Sequence, residues 1–310
     1  MTYAVIISAR MSSMRLPGKP LTVYCPDGMT NIEQIARRWL ASRRNPTVII
    51  ATSDKPEDDT IRHLITSKLP DVLCYQGSRE DVVARMDGAI KLYANEATYI
   101  ARAMADNPLV DVGLADWRLD RLEDSGADGF YIELEQIERL TYAATTDVWS
   151  RRAWDRIAAG SSGSQREHPG AWWFENQGVT DLSAIGYVLP RREYLADVRT
   201  ELDTPEDLEM FKAVFGRLEV LYKAFGEPLL TMTALRYLEE RPDLAALNHS
   251  VPMKTQTKPA YPKGNAWRCR ECGWRAATIL SGDLVVGCQN CGHKQKYYAK
   301  SPGAHTHRLP

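Results

Sequence analysis

The stretch Ser8-Ala9-Arg10-Met11-Ser12-Ser13-Met14-Arg15-Leu16-Pro17-Gly18-Lys19 interleaves three cations with small hydroxyl side chains. Guanidinium forks match phosphate oxygens in pairs, and backbone N–H groups of a tight turn add further donors, so this composition suits a triphosphate cradle. The spacing departs from G-x-x-x-x-G-K-[ST], which excludes an ordinary P-loop ATPase or GTPase. Composition alone fits a basic surface loop equally well.

Phosphate chemistry of this kind also needs neutralising charge. When nucleophile, triphosphate and leaving pyrophosphate are all anionic, carboxylates that hold Mg2+ supply it. Asp106 follows an apolar run at Tyr99–Ala103, and Asp203 precedes Thr204-Pro205, which suit the N-cap and first turn of a helix. Taken locally, Asp106 reads as a turn former and Asp203 as a residue at a helix start. In Ser78-Arg79-Glu80-Asp81 the polar cluster precedes a helical pattern, so helix capping and nucleotide contact both fit. His168, in Arg166-Glu167-His168 ahead of Trp172, Trp173 and Phe174, fits either an acceptor contact or a structural role.

The six cysteines fall into two groups. Cys25 and Cys74 stand alone and read as buried thiols. Cys269-Arg270-Glu271-Cys272 and Cys288-Gln289-Asn290-Cys291 form two C-x-x-C knuckles, each followed by a glycine, Gly273 or Gly292. Four thiolates at this spacing predict a tetrahedral structural Zn2+ in a zinc ribbon, coordinatively closed and without a part in catalysis.

Elements that would position these groups are legible in the apolar pattern. Ala4–Ile7, Val48–Ala51, Val72–Tyr75 and Tyr99–Ala103 read as buried strands, separated by helical spacing at Ile32–Leu40 and Val82–Tyr93. Thr30 and Glu33 form a capping box for the first helix. The alternation predicts an α/β fold with a mainly parallel sheet and a ligand site beyond the strand C-termini. A helix is expected from Asp147 to about Gly160, then a flexible Gly/Ser loop to Ser164 that suits an active-site cover. Further helices are expected at Pro205–Phe215, Leu218–Phe225 and Met232–Glu240.

Residues 251–266, with Pro252, Pro259, Pro262 and Gly264, have linker composition. They divide a domain at 1–250 from a ribbon at 267–300 and a tail at 301–310. Residues 251–310 carry Lys254, Lys258, Lys263, Arg268, Arg270, Arg275, Lys294, Lys296, Lys300 and Arg308 against Glu271 and Asp283 alone, although the whole chain has a formal net charge of -1. This basic end, with Trp267, Trp274, Tyr297 and Tyr298, suits an anionic partner, nucleic acid included, or packing of the small domain. The 310-residue chain has no apolar run of membrane-spanning length and no basic-then-apolar leader, so a cytoplasmic protein with no membrane partner is expected.

The loop Ala9–Leu21 resembles the N-terminal signature of the cytidylyltransferases that make CMP-KDO and CMP-sialic acid, and most closely that of the SpsF-type spore coat polysaccharide biosynthesis proteins. Ala51-Thr52-Ser53 with Pro56–Asp59, Gly77–Val82, Asp106–Leu109, Arg166–His168 and Asp203–Leu208 resemble that family's blocks in the same order, across roughly the first 250 residues. The resemblance implies a Rossmann-like, GT-A-like nucleotidyltransferase fold and transfer of CMP from CTP to a sugar acid or related acceptor. It implies Arg10, Arg15, Lys19, Asp106 and Asp203 as catalytic residues, the two aspartates holding Mg2+. It places Ala9, Arg10, Ser12, Ser13, Arg15, Lys19, Ser53, Arg79 and Asp81 around the nucleotide, and it implies a homodimer. Ala105 stands where the family has glycine before the first aspartate. The ribbon lies outside the resemblance and opens the acceptor to carrier-bound or macromolecular substrates. Two alternatives remain at this point: a nucleotide-sugar-dependent glycosyltransferase, and a nucleic-acid-binding or scaffold protein with an inactive transferase body.

Overall fold

Along the first strand, β1 (Tyr3–Ser8), Val5 and Ile7 pack to one side and Ala4 and Ile6 to the other, and all four are fully buried. A strand apolar on both faces is stable only between two helical layers. The structure, a computed structural model, provides these layers; it describes residues 2–131, 141, 146–176, 181–186, 198–218 and 231–251, and four short strands beyond them.

β1 lies between β2 (Thr47–Ser53) and β4 (Tyr99–Met104), with β3 (Leu73–Gly77) outside β2 and β6 (Asp147–Ser150) outside β4. The order β3-β2-β1-β4 is parallel throughout, and β6 runs antiparallel to β4 with Arg102 opposite Asp147. On one face pack α1 (Asn31–Leu40), α2 (Asp59–Lys68) and α4 (Val112–Ser125), through Ile32, Trp39, Ile65 and Leu119. On the other pack α3 (Val82–Tyr93), α5 (Arg151–Gly160) and α6 (Pro169–Asn176), through Met86, Trp154 and Trp173. A small parallel pair, β5 (Gly129–Tyr131) and β7 (Ala184–Gly186), completes this part.

A third apolar cluster joins α7 (Pro205–Arg217) and α8 (Thr231–Glu240) to Leu16, Tyr24, Leu109 and Leu202. It ties the C-terminal helices to the segments that carry the loop after β1 and the two aspartates. A short helix, α9 (Pro242–Ala245), and a turn to Asn248 follow.

Local chemistry sets the helix starts. Thr30 and Glu33 form the expected capping box of α1, and Thr204 caps α7 with Pro205 in its first turn. The helix expected from Asp147 begins at Arg151 instead. Asp147–Ser150 pairs with β4, burying Val148 and Trp149 on opposite faces, and Ser150 accepts from Ala153 N to start α5. The Gly/Ser segment is more ordered than its composition suggested, since Gly163–Arg166 forms a 3-10 turn capped by Ser162 and Gln165. Cys25 is buried and Cys74 partly so, and burial pushes their thiols up to about 12 and about 11.

The helix expected at Leu218–Phe225 and the four clustered cysteines lie outside the described residues. In the same part of the sequence, β8 (Thr278–Ile279), β9 (Val285–Gly287), β10 (Lys294–Tyr297) and β11 (Thr306–His307) form an antiparallel sheet in the order β11-β10-β9-β8. Its last strand falls within 301–310, the part of the sequence set apart as a tail. Among the described residues no helix is long and apolar enough to cross a membrane.

Candidate active site

The chain runs from β1 to β2 and β3 on one side and returns to β4 on the other, so the C-terminal end of β1 lies at the switch point of the sheet. The loop from Ser8 to Lys19 begins there. Ala9 N donates to Ala51 O at 3.2 Å, and Met11 N to Asp58 Oδ1 at 2.6 Å. Asp58 is itself held by the Ser53 hydroxyl. The loop then closes on itself, because Met11 O accepts from both Ser13 N and Gly18 N. Gly18 takes the left-handed conformation (φ 70°) that this reversal needs. Ser13 Oγ accepts from Leu16 N, while Ser12 is half-buried in the same loop.

The reversal turns Lys19 inward. Its Nζ lies 2.6 Å from Asp203 Oδ1 and 3.6 Å from Asp106 Oδ2, and Arg15 Nη2 pairs with Asp203 Oδ2. Lys19, Asp106 and Asp203 are all buried, whereas Arg15 is half exposed. Hydrogen bonds bring the two carboxylates together: Ala105 N donates to Ser8 O, Leu202 N donates to Asp106 O at 2.9 Å, and Asn31 Nδ2 donates to Ala105 O at 2.6 Å. Two buried carboxylates this close repel, and the ammonium between them offsets that repulsion.

These carboxylates are hard oxygen donors, and Mg2+ is commonly held by one or two of them plus substrate phosphates. Asp106 and Asp203 fit that donor set. Among the described residues no group of three or more His, Cys, Asp or Glu that could hold a metal ion occurs.

Arg79 and Asp81 stand apart from this cluster, at the start of α3. Asp81 caps α3 through Ala84 N and accepts from Arg166 Nε at 2.8 Å and Nη2 at 2.6 Å, while Arg79 pairs with Glu57. Arg85 donates to the Ser78 and Arg79 carbonyls and so fixes the turn; burial and the neighbouring Arg10 lower its pKa. Glu167, next to Arg166, pairs with Arg10 at 3.5 Å. The Arg166–Glu167 segment therefore spans from α3 to the loop after β1. The His168 main chain is fixed here, its N–H donating to Ser164 O and its carbonyl accepting from Ala171 N.

Sequence reading named Asp58 only within a block and passed over Asn31 and Arg85. Each acts by holding backbone, and the available signal was weak: a polar residue at a helix start or in an apolar helical face.

A parallel α/β sheet that gathers a cation-rich loop and two carboxylates at its switch point is the layout of a nucleotidyltransferase. A cytidylyltransferase family model matches residues 4–229, and the chain belongs to that family. It is 28% identical over 248 residues to the spore coat polysaccharide biosynthesis protein SpsF of Bacillus subtilis, a match that covers 77% of this chain and 95% of that one. An uncharacterized protein of Methanocaldococcus jannaschii is 26% identical over 258 residues, covering 81% of this chain and 96% of the relative. A solved cytidylyltransferase structure from Leptospira borgpetersenii shares the fold, with a TM-score of 0.68 at 20% identity, over 82% of this chain and all of that one.

Removing the ammonium leaves two buried carboxylates with one partner fewer. Lys19→Met is expected to cost roughly 3 kcal/mol of stability in metal-free buffer, measured by urea unfolding; a neutral result would contradict this account of the charge balance.

Proposed function

We propose that this chain transfers CMP from CTP to an oxygen of a sugar acid or a related acceptor, releasing pyrophosphate in a Mg2+-dependent reaction. The observation that carries this reading is the buried contact of Lys19 with Asp106 and Asp203 at the switch point, inside the stretch matched by the family.

The acceptor hydroxyl oxygen bonds to the α-phosphorus, the bond from that phosphorus to the β-bridging oxygen breaks, and pyrophosphate leaves with the electron pair. The hydroxyl proton passes to solvent. Arg10, Arg15 and the Ser12 and Ser13 hydroxyls bind the triphosphate beside Ala9, whose own N–H is taken by Ala51 O, and Lys19 holds its charge next to the carboxylates. Ser53 acts through Asp58 to keep the Met11 end of the loop in place. Arg79 and Asp81 border the nucleoside side. Asp106 and Asp203 would hold Mg2+, which would neutralise phosphate charge and lower the acceptor's pKa. Most of the rate then comes from positioning and electrostatics.

For the C-terminal part, the reading is a linker at 251–266 and a zinc ribbon on Cys269, Cys272, Cys288 and Cys291. Its support is the spacing of the knuckles, together with the antiparallel pairing of β8, β9 and β10 before and after the second one. Such a module suits presentation of a carrier-bound or macromolecular acceptor, and its basic character admits nucleic acid.

Two measurements test these readings. With Mg2+, CTP should raise the unfolding temperature and, given a suitable acid, release pyrophosphate, while Asp106→Asn and Asp203→Asn each lower kcat by about 100-fold or more. If no triphosphate stabilised the protein, the transferase reading would fail. Metal analysis should return one zinc per chain, lost in Cys269→Ser; a zinc-free full-length chain would refute the ribbon.

A further inference from the structure

Asp207 accepts far more than a helix start requires. As the third residue of α7 it takes Thr204 N at 3.0 Å, the usual return bond of a capping box. The same oxygen, Oδ2, also takes Asp203 N at 2.9 Å and Arg199 Nη2 at 2.9 Å, while Oδ1 takes Arg199 Nε at 2.7 Å and Asn248 Nδ2 at 2.9 Å. Five donors converge on a carboxylate with no exposed surface.

The donors have one feature in common: each fixes the backbone that carries Asp203. Arg199 begins the segment whose Leu202 N binds Asp106 O, and Asp207 closes it four residues past Asp203, so the Arg199–Asp207 fork staples both ends. Asn248 locks the staple a second time, because its amide also donates to Arg199 O at 3.1 Å. Asn248 lies past residue 229, where the family match ends.

We infer that Asp207 and Asn248 are positioning residues that hold the Asp203 carboxylate against Asp106 for the divalent cation. This rests on the transferase reading above. Neither residue touches substrate. Each acts through the Asp203 backbone, so its loss should loosen metal binding and the chemical step more than nucleotide binding.

The test uses the full-length protein with CTP and Mn2+ as the probe, free Mn2+ being read by its electron paramagnetic resonance signal. Asn248→Ala, which removes only the outer lock, should lower Mn2+ affinity and kcat by about 10-fold each. KM for CTP should stay near the wild-type value. The ligand-free unfolding midpoint should fall by only about 2–4 °C. Asp207→Asn should show the larger effect of the same kind where it folds, and Asn248→Ala decides the matter where it does not. Wild-type Mn2+ affinity and kcat in Asn248→Ala, with that small drop in midpoint, would make the node merely structural and overturn the inference. A wild-type protein that takes up no Mn2+ with CTP would overturn the transferase reading as well, which separates the two failures.

Discussion

Two carboxylates are held out of water within reach of a single ammonium, and the rest of the fold serves that arrangement. Asp106 and Asp203 are far apart in sequence, and each arrives on backbone that the sheet or a helix start keeps in place. Bringing them together costs desolvation and repulsion, which Lys19 and Arg15 offset. In the proposed reading, a site that carries this cost is arranged for cation and phosphate. In the transferase reading, charges on the loop exchange carboxylate partners for phosphate oxygens when substrate enters.

The topology explains why the cluster forms where it does. Strands on either side of β1 send the chain to opposite halves of the sheet, leaving a crevice that the loop after β1 and the turn after β4 both line. Asp58, Asn31 and Arg85 then remove freedom from the crevice walls by bonding backbone N–H groups or carbonyls. The third apolar cluster closes the far side, so α7 and α8 belong to the site's scaffold although they lie late in the chain.

Much of this was readable from sequence. Runs such as Val48–Ile49–Ile50 and the Thr30–Glu33 capping box announce their elements locally, whereas the loop cations suggest a phosphate site only together with the family's blocks downstream. What escaped was set by long-range contact. Asp147–Ser150 looked like the start of a helix because its strand identity comes from pairing with β4, and the short pair β5–β7 has too few residues to show a period. Asp207 resembled any acidic residue of a first helical turn until Arg199 and Asn248 met it in space. The helix α4 was passed over although its ends are marked locally, Asp111 accepting from Leu114 N at its start and Gly126 closing it in the left-handed conformation.

The C-terminal cysteine knuckles and basic residues have no place in the chemistry proposed for the body, and acceptor presentation or binding is the role proposed for them. The central claim concerns the body, and the anomalous scattering of Mn2+ in crystals grown with CTP tests it most directly. The account predicts a manganese peak flanked by the Asp106 and Asp203 carboxylates, with the triphosphate along Arg10–Lys19. A peak remote from both aspartates, or CTP bound away from that loop, would contradict it.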